Sequence, residues 1–129
     1  EQDDIAYPLS SAIFRNCIIA GSGTDEINGG RSKNENIAFN YYFSHCLINS
    51  VKEENDKIVN VIWEKDDNFL LMDSRTQEYS FSLNEKSKAI NLGKQEDAIA
   101  YPTDRNRNSR LQDTAPDAGC YEKSASKDE

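Results

Sequence analysis

Two short apolar bursts stand out in the first half of the chain, and they are alike. Residues 12–19 read Ala-Ile-Phe-Arg-Asn-Cys-Ile-Ile, and residues 41–48 read Tyr-Tyr-Phe-Ser-His-Cys-Leu-Ile. Phe14 aligns with Phe43, Asn16 with His45, Cys17 with Cys46, Ile18 with Leu47 and Ile19 with Ile48, at an offset of 29 residues. Each burst is too short for a helix and rich in β-favouring side chains. Each is followed by polar, turn-forming sequence: Gly21-Ser22-Gly23-Thr24 and Asn28-Gly29-Gly30 after the first, Lys52-Glu53-Glu54-Asn55-Asp56-Lys57 after the second. A segment of this kind cannot bury its apolar side alone, whereas a copy stacked against it can do so. Strand, bend, strand and polar loop, then the same again, predicts parallel pairing between successive coils of an all-β solenoid.

Three more strands are expected at Ile58–Trp63, Phe69–Met72 and Tyr79–Leu83, the last with a Tyr79/Phe81/Leu83 alternation that marks a half-buried face. No stretch of ten or more residues keeps a helical apolar period with caps at both ends. From Lys94 onward the chain is polar and turn-like, apart from Ala98-Ile99-Ala100-Tyr101 and Gly119-Cys120-Tyr121. The charged, serine-containing end from Glu122, and 123–129 in particular, reads as a disordered tail.

Composition narrows the picture. The 129 residues are 36% hydrophobic and carry a formal net charge of -8, which fits one domain or a piece of one and a thin core. The apolar runs Cys17–Ala20 and Phe69–Met72 fall far short of the roughly 20 residues a membrane-spanning helix needs. Acidity disfavours nucleic acid, since the basic residues are scattered except for Arg105, Arg107 and Arg110. The sequence starts at Glu1 without a signal-peptide pattern, and we expect a processed protein or a fragment. The residues before Ala12 are too few for a coil or a capping helix, so upstream coils or another chain are expected over the N-terminal end. The three cysteines, Cys17, Cys46 and Cys120, form no C-x-x-C pair and no even-numbered disulfide framework. They read as small buried hydrophobes. Cys17 and Cys46 should sit in adjacent coils, reduced and pointing the same way, and zinc is not indicated.

Phe-Arg-Asn-Cys-Ile-Ile-Ala-Gly-Ser at 14–22 and Phe-Ser-His-Cys-Leu-Ile at 43–48 resemble the coils of right-handed parallel β-helix proteins, the pectate-lyase-like fold. Tyr79–Leu83, Ser87–Gly93, Pro102–Arg110 and Pro116–Glu122, in that order, are similar to the "choice-of-anchor Q" ending of secreted and outer-membrane-associated proteins of Bacteroidetes-type bacteria. The resemblance covers roughly 12–48 and 79–122. It departs at Arg107, where that ending usually has Gly, at Lys88, where it has Pro, and at Cys120, where it has a small apolar residue. It implies the C-terminal part of a right-handed parallel β-helix over 1–122, with coils at about 12–93 and a capping segment at 94–122. It also implies an extracellular or cell-surface setting, with lipid anchoring through a segment before Glu1 as one route.

Candidate chemistry is sparse. His45 is the single histidine; its match to Asn16 makes it a ladder residue at a bend, and neighbouring strand residues point to opposite faces, which disfavours a pair with Cys46. Asp25 and Glu26 form an adjacent carboxylate pair, and polysaccharide lyases of the resembled fold use clustered acids with calcium and a Lys or Arg base. The second copy has no matching cluster, and Glu53, Glu54 and Asp56 read as a solvated loop. The glycine-rich stretch lacks a phosphate-cradle pattern. Asp104, Asn106 and Asn108 alternate like the first ligands of a calcium loop, but Ser109 stands where Gly is needed and Ala115 where the bidentate Glu belongs; a turn held by Asx side chains is expected. Tyr41 and Tyr42, with Phe39 and Phe43, could stack on sugars, although alternation sends about half of them inward. Trp63 reads as a packing residue.

No catalytic residue, metal site or cofactor is assigned, and the ligand-binding residues stay open. The expected role is a non-catalytic module of a secreted or surface-anchored protein, a scaffold or a binder of glycan or outer-membrane partners. The alternative is the C-terminal part of a polysaccharide lyase or hydrolase whose catalytic coils lie upstream.

Overall fold

The computed structural model describes Ile5, residues 7–65 and residues 67–123. The repeated bursts form three tiers, each made of two strands joined by a sharp bend. Tier one is β1 (Leu9–Arg15) and β2 (Ile18–Ile19); tier two is β3 (Phe39–Ser44) and β4 (Leu47–Ile48). The segment expected as a single strand at Ile58–Trp63 is a third tier, β5 (Ile58–Val59) and β6 (Ile62–Trp63). The first strands pair in parallel in the order β1-β3-β5 and the second in the order β2-β4-β6. Phe14 pairs with Phe43 and Phe43 with Ile58; Ile18 pairs with Leu47 and Leu47 with Ile62.

Each bend turns on one polar residue with a left-handed backbone: Asn16 at φ 54°, His45 at φ 54° and Asn60 at φ 51°. Asn and His tolerate that conformation better than branched or bulky residues do. The bend lets side chains flanking it be buried on both sides of the tier. Phe43, Cys46 and Ile48 form an inner cluster with Cys17, Ile19, Ile58 and Trp63. Leu47 forms an outer cluster with Leu83, Ala89 and Ala118, against which Ile18 and Ile62 pack.

After Trp63 the parallel order stops, earlier than the limit near residue 93 expected for the coils. β7 (Phe69–Asp73) and β8 (Glu78–Leu83) pair antiparallel. Only a short turn joins them, and a parallel pair needs a long crossover. The turn is held by the Asp73 carboxylate, which accepts the Arg75 and Thr76 N–H groups at 3.0 and 3.2 Å. The expected half-buried face of β8 is buried only at its base: Leu83 is 2% exposed, Tyr79 49% and Phe81 46%. The base of the hairpin packs on the outer cluster through Phe69 and Leu83, while the rest of its apolar side faces solvent.

A short helix, α1 (Gln95–Ala100), follows. The segment expected as a cap over the end of the stack lies along its flank. The Ala118 N–H donates to Ala89 O at 2.9 Å, Gly93 N–H to Pro116 O at 2.8 Å and Gly119 N–H to Asn16 O at 2.8 Å, which brings residues 89–93 and 116–119 together beside the first tier. Gly119 has φ 100°, a conformation that requires glycine, and its bare Cα comes up against the Ile18 side chain, whose Cδ1 would stand 2.9 Å from a Cβ there. Glu122 and Lys123, expected at the start of a loose tail, are pinned: their N–H groups donate to Asp104 at 2.8 Å and Asp117 at 2.6 Å. The remaining tail, 124–129, lies outside the described residues.

Candidate functional site

In-register stacking places aromatic rings on the inner side of the tiers. Phe14 lies on Phe43 with ring centroids 5.0 Å apart and planes 10° apart; Tyr41 tilts against Phe43 at 5.9 Å, and Phe39 meets Tyr41 edge-on at 5.4 Å. With Ile27, Ile58 and Trp63 they line a cavity of about 730 Å³, bordered by Asp25, Glu26, Arg31 and Glu53. Its size lies within the roughly 300–1,000 Å³ usual for small-molecule sites, and its apolar wall with a few charged groups has the corresponding composition.

The loop carrying the acids is fixed by buried Asn49, whose amide donates to the carbonyls of Gly21 at 3.0 Å and Gly23 at 3.1 Å. Asp25 accepts the Ser50 hydroxyl and Glu26 accepts the Gly23 N–H at 2.6 Å. The two adjacent carboxylates are thus turned to separate donors within the chain and do not converge on one point. Lys57 donates to Phe39 O at 3.1 Å and holds its ammonium 5.0 Å from the centre of the Tyr41 ring. The Tyr41 hydroxyl accepts from the Asn55 amide at 2.9 Å. Tyr41, Phe39 and Phe43 line the cavity, as does Trp63; Tyr42, opposite Ile13, does not. Glu53, Glu54 and Asp56 are exposed; Glu54 is paired with Lys52 at 2.7 Å, which holds its carboxyl below the ordinary value.

The bend residues form a polar ladder. Asn60 Nδ2 donates to His45 Nε2 at 3.0 Å, so Nδ1 carries the proton of the neutral ring and donates to Ser44 Oγ at 2.7 Å. Partial burial, with the Lys94 charge beside it, lowers the His45 pKa against a smaller opposing effect of Asp97. Both ring nitrogens are thus engaged within the bends of the second and third tiers. On the tier before it, Asn16 grips the backbone of Lys94, donating to its carbonyl at 3.1 Å and accepting its N–H at 2.7 Å.

Asp104 is buried, and its Oδ1 accepts the Asn106 and Asn108 N–H groups at 2.8 Å each. These are turn contacts of the Asx kind, with Oδ2 taken by Glu122 N–H, and neither Ser109 nor Ala115 enters the carboxylate's shell of donors. Beside it Arg110 pairs with Glu122 at 2.9 Å. Burial raises the Glu122 pKa in spite of the Asp117 N–H and Arg110. The folded state therefore holds the proton over a range where the unfolded chain has lost it, and this carboxyl's contribution to stability falls as pH rises from about the ordinary 4.5 through the raised folded value. Glu122→Gln is expected to remove that slope. Urea midpoints of both proteins, measured from weakly acidic to neutral pH, should diverge in favour of the variant as pH rises; parallel curves would refute the assignment.

Cys17 and Cys46 are free and belong to the inner cluster, while Cys120 is exposed. Among the described residues no group of three or more His, Cys, Asp or Glu side chains is placed to hold a metal ion, and no helix is long and apolar enough to cross a membrane. Sequence reasoning missed the cavity, because polar loops contribute to its lining, and missed the third rung, although Asn60-Val61-Ile62 repeats the polar-apolar-aliphatic order of Asn16-Cys17-Ile18. No family model, curated protein or solved structure matches this chain.

Proposed function

We propose that this chain is a non-catalytic module of a right-handed parallel β-helix, part of a secreted or surface-anchored bacterial protein, which serves as a scaffold and presents a surface to glycan or protein partners. The observation that carries the reading is the state of the first tier. Among the described residues β1 pairs with β3 on one side only, and Phe14, stacked on Phe43 at the inner wall, is 39% exposed. A parallel edge strand and an open apolar cross-section are what a further coil, upstream or in another chain, would cover. The left-handed Arg107, at φ 67°, supports the resemblance of the closing segment, since that ending usually carries Gly there. The engaged ring of His45 and the divergent Asp25 and Glu26 support a non-catalytic role.

Sedimentation of the isolated chain at micromolar concentration tests the reading. We expect concentration-dependent association through the first tier, weakened by Ile13→Lys, which sets a charge on the exposed face of β1. A monomer at every concentration would overturn the open-end argument. Release of unsaturated product from pectin, alginate or glycosaminoglycan by the chain alone would replace the scaffold reading with an enzymatic one.

A further inference from the structure

We propose that Cys17 and Cys46 form a dithiol site that a small-molecule disulfide converts into a covalent bridge between the first and second tiers. The pairs Arg15–Ser44 and Ile18–Leu47 flank the two cysteines on either side, so register places them on the same level. Neighbouring parallel strands lie about 4.8 Å apart, within the roughly 4.4–6.8 Å between Cα atoms that a disulfide spans. The backbone agrees, with Leu47 N–H donating to Cys17 O at 3.0 Å. Both side chains enter the inner cluster beside Phe43 and Ile48. The corresponding residue of the third tier is Val61, so the column holds two sulfurs and ends there.

The two thiols differ in access. Cys46 is fully buried, whereas Cys17 is half-buried and lines a cleft of about 540 Å³ with Arg15, Asp97, Tyr101, Arg110 and Cys120. The hydrogen bond with Cys46 draws the Cys17 pKa down to about 7, and the same contact, with burial, raises that of Cys46. Cys17 is therefore the thiol of the pair that ionises first, and the thiolate is the form that attacks disulfides. With oxidised glutathione, the Cys17 thiolate attacks one sulfur and expels one glutathione thiolate, leaving a mixed disulfide on Cys17. Cys46, which has no contact with solvent, then attacks the Cys17 sulfur and passes its proton to the departing thiolate, so that the second glutathione leaves as the thiol. Two thiols are oxidised by two electrons in all, and one glutathione disulfide leaves as two reduced molecules. The second step is the slower, because burial holds Cys46 protonated.

The native chain, incubated with excess oxidised glutathione at neutral pH, acid-quenched and denatured, should lose the Cys17 and Cys46 thiols from the three its cysteines supply, while the exposed Cys120 takes up at most a glutathione adduct of its own. Peptide mapping should find Cys17 joined to Cys46. Cys120→Ser, a change at an exposed position, should fall from two thiols to none with the same linkage. Cys46→Ser should stop at a glutathione adduct on Cys17; if that variant does not fold, the Cys120→Ser result alone decides. Retention of all three thiols, a lasting glutathione adduct on wild-type Cys17, or a Cys17–Cys120 linkage would each overturn the proposal.

Discussion

Leu47→Ala is expected to destabilise the protein by about 2–5 kcal/mol, the range for truncating a buried leucine in a core that cannot collapse around the gap. Leu47 is fully buried at the centre of the outer cluster. Its two strand neighbours, Ile18 and Ile62, lie in register on either side. Those neighbours are held by ladder hydrogen bonds, and Ala89 and Ala118 are held to each other by a backbone hydrogen bond of 2.9 Å, so neither wall can move in freely. A domain of this size has about 5–15 kcal/mol in total, and the loss would be a large fraction of it. Leu70→Ala, at a residue 60% exposed on the hairpin, should stay within about 0.5 kcal/mol. Equal shifts of the urea midpoint for the two variants would show that the flank layer contributes no more than the surface does.

The same outer cluster explains what the sequence revealed and what it hid. A parallel in-register stack puts like residues on one another, so Phe14 over Phe43 and Cys17 over Cys46 were legible as a repeat. The third tier kept only the chemical class at each position, with Ile58 in place of Phe and Val61 in place of Cys, and its connecting loop is shorter; identity faded while geometry persisted. Ile18, Leu47 and Ile62 are as apolar as the inward residues beside them. Strands buried on both faces read as continuous apolar runs and not as an alternation, and that was the available signal for a layer outside the stack. The layer itself has no period to detect. It is tied by Asn16 to Lys94, by Gly93 to Pro116 and by Asp104 and Asp117 to backbone N–H groups, which are contacts between single residues far apart or locally turned. The cavity was hidden for a related reason: Asp25, Glu26 and Glu53 look like solvated loop residues in sequence, and only the fold brings them to the edge of an aromatic wall.

Asp117→Ala should have an effect of similar size by a different route. Asp117 is 2% exposed. Its Oδ1 accepts the Asn91 N–H at 2.8 Å, its Oδ2 accepts the Lys123 N–H at 2.6 Å, and its own N–H donates to the Glu122 carboxylate. One side chain therefore joins the turn at Asn91, which has a left-handed backbone at φ 57°, to the last described residues of the closing segment. Alanine would leave the Asn91 and Lys123 N–H groups without their acceptor; both bonds are only part-buried and Asn91 itself is exposed, so water replaces some of what is lost, and of the about 1–3 kcal/mol that each costs at full burial a total of about 2–3 kcal/mol is expected. Asp117→Asn keeps one acceptor oxygen and should fall between the two. Asp113→Ala, at an exposed neighbour in the same segment, should change little. Because the lost contacts hold the flank layer and not the ladders, amide exchange should accelerate first at Gly93, Ala118 and Gly119, whose N–H groups bond across that layer, while Leu47 and Ile62 in the ladder lag behind. Uniform acceleration across both sets would mean that the flank and the tiers open as one cooperative unit, and that Asp117 fastens the whole stack.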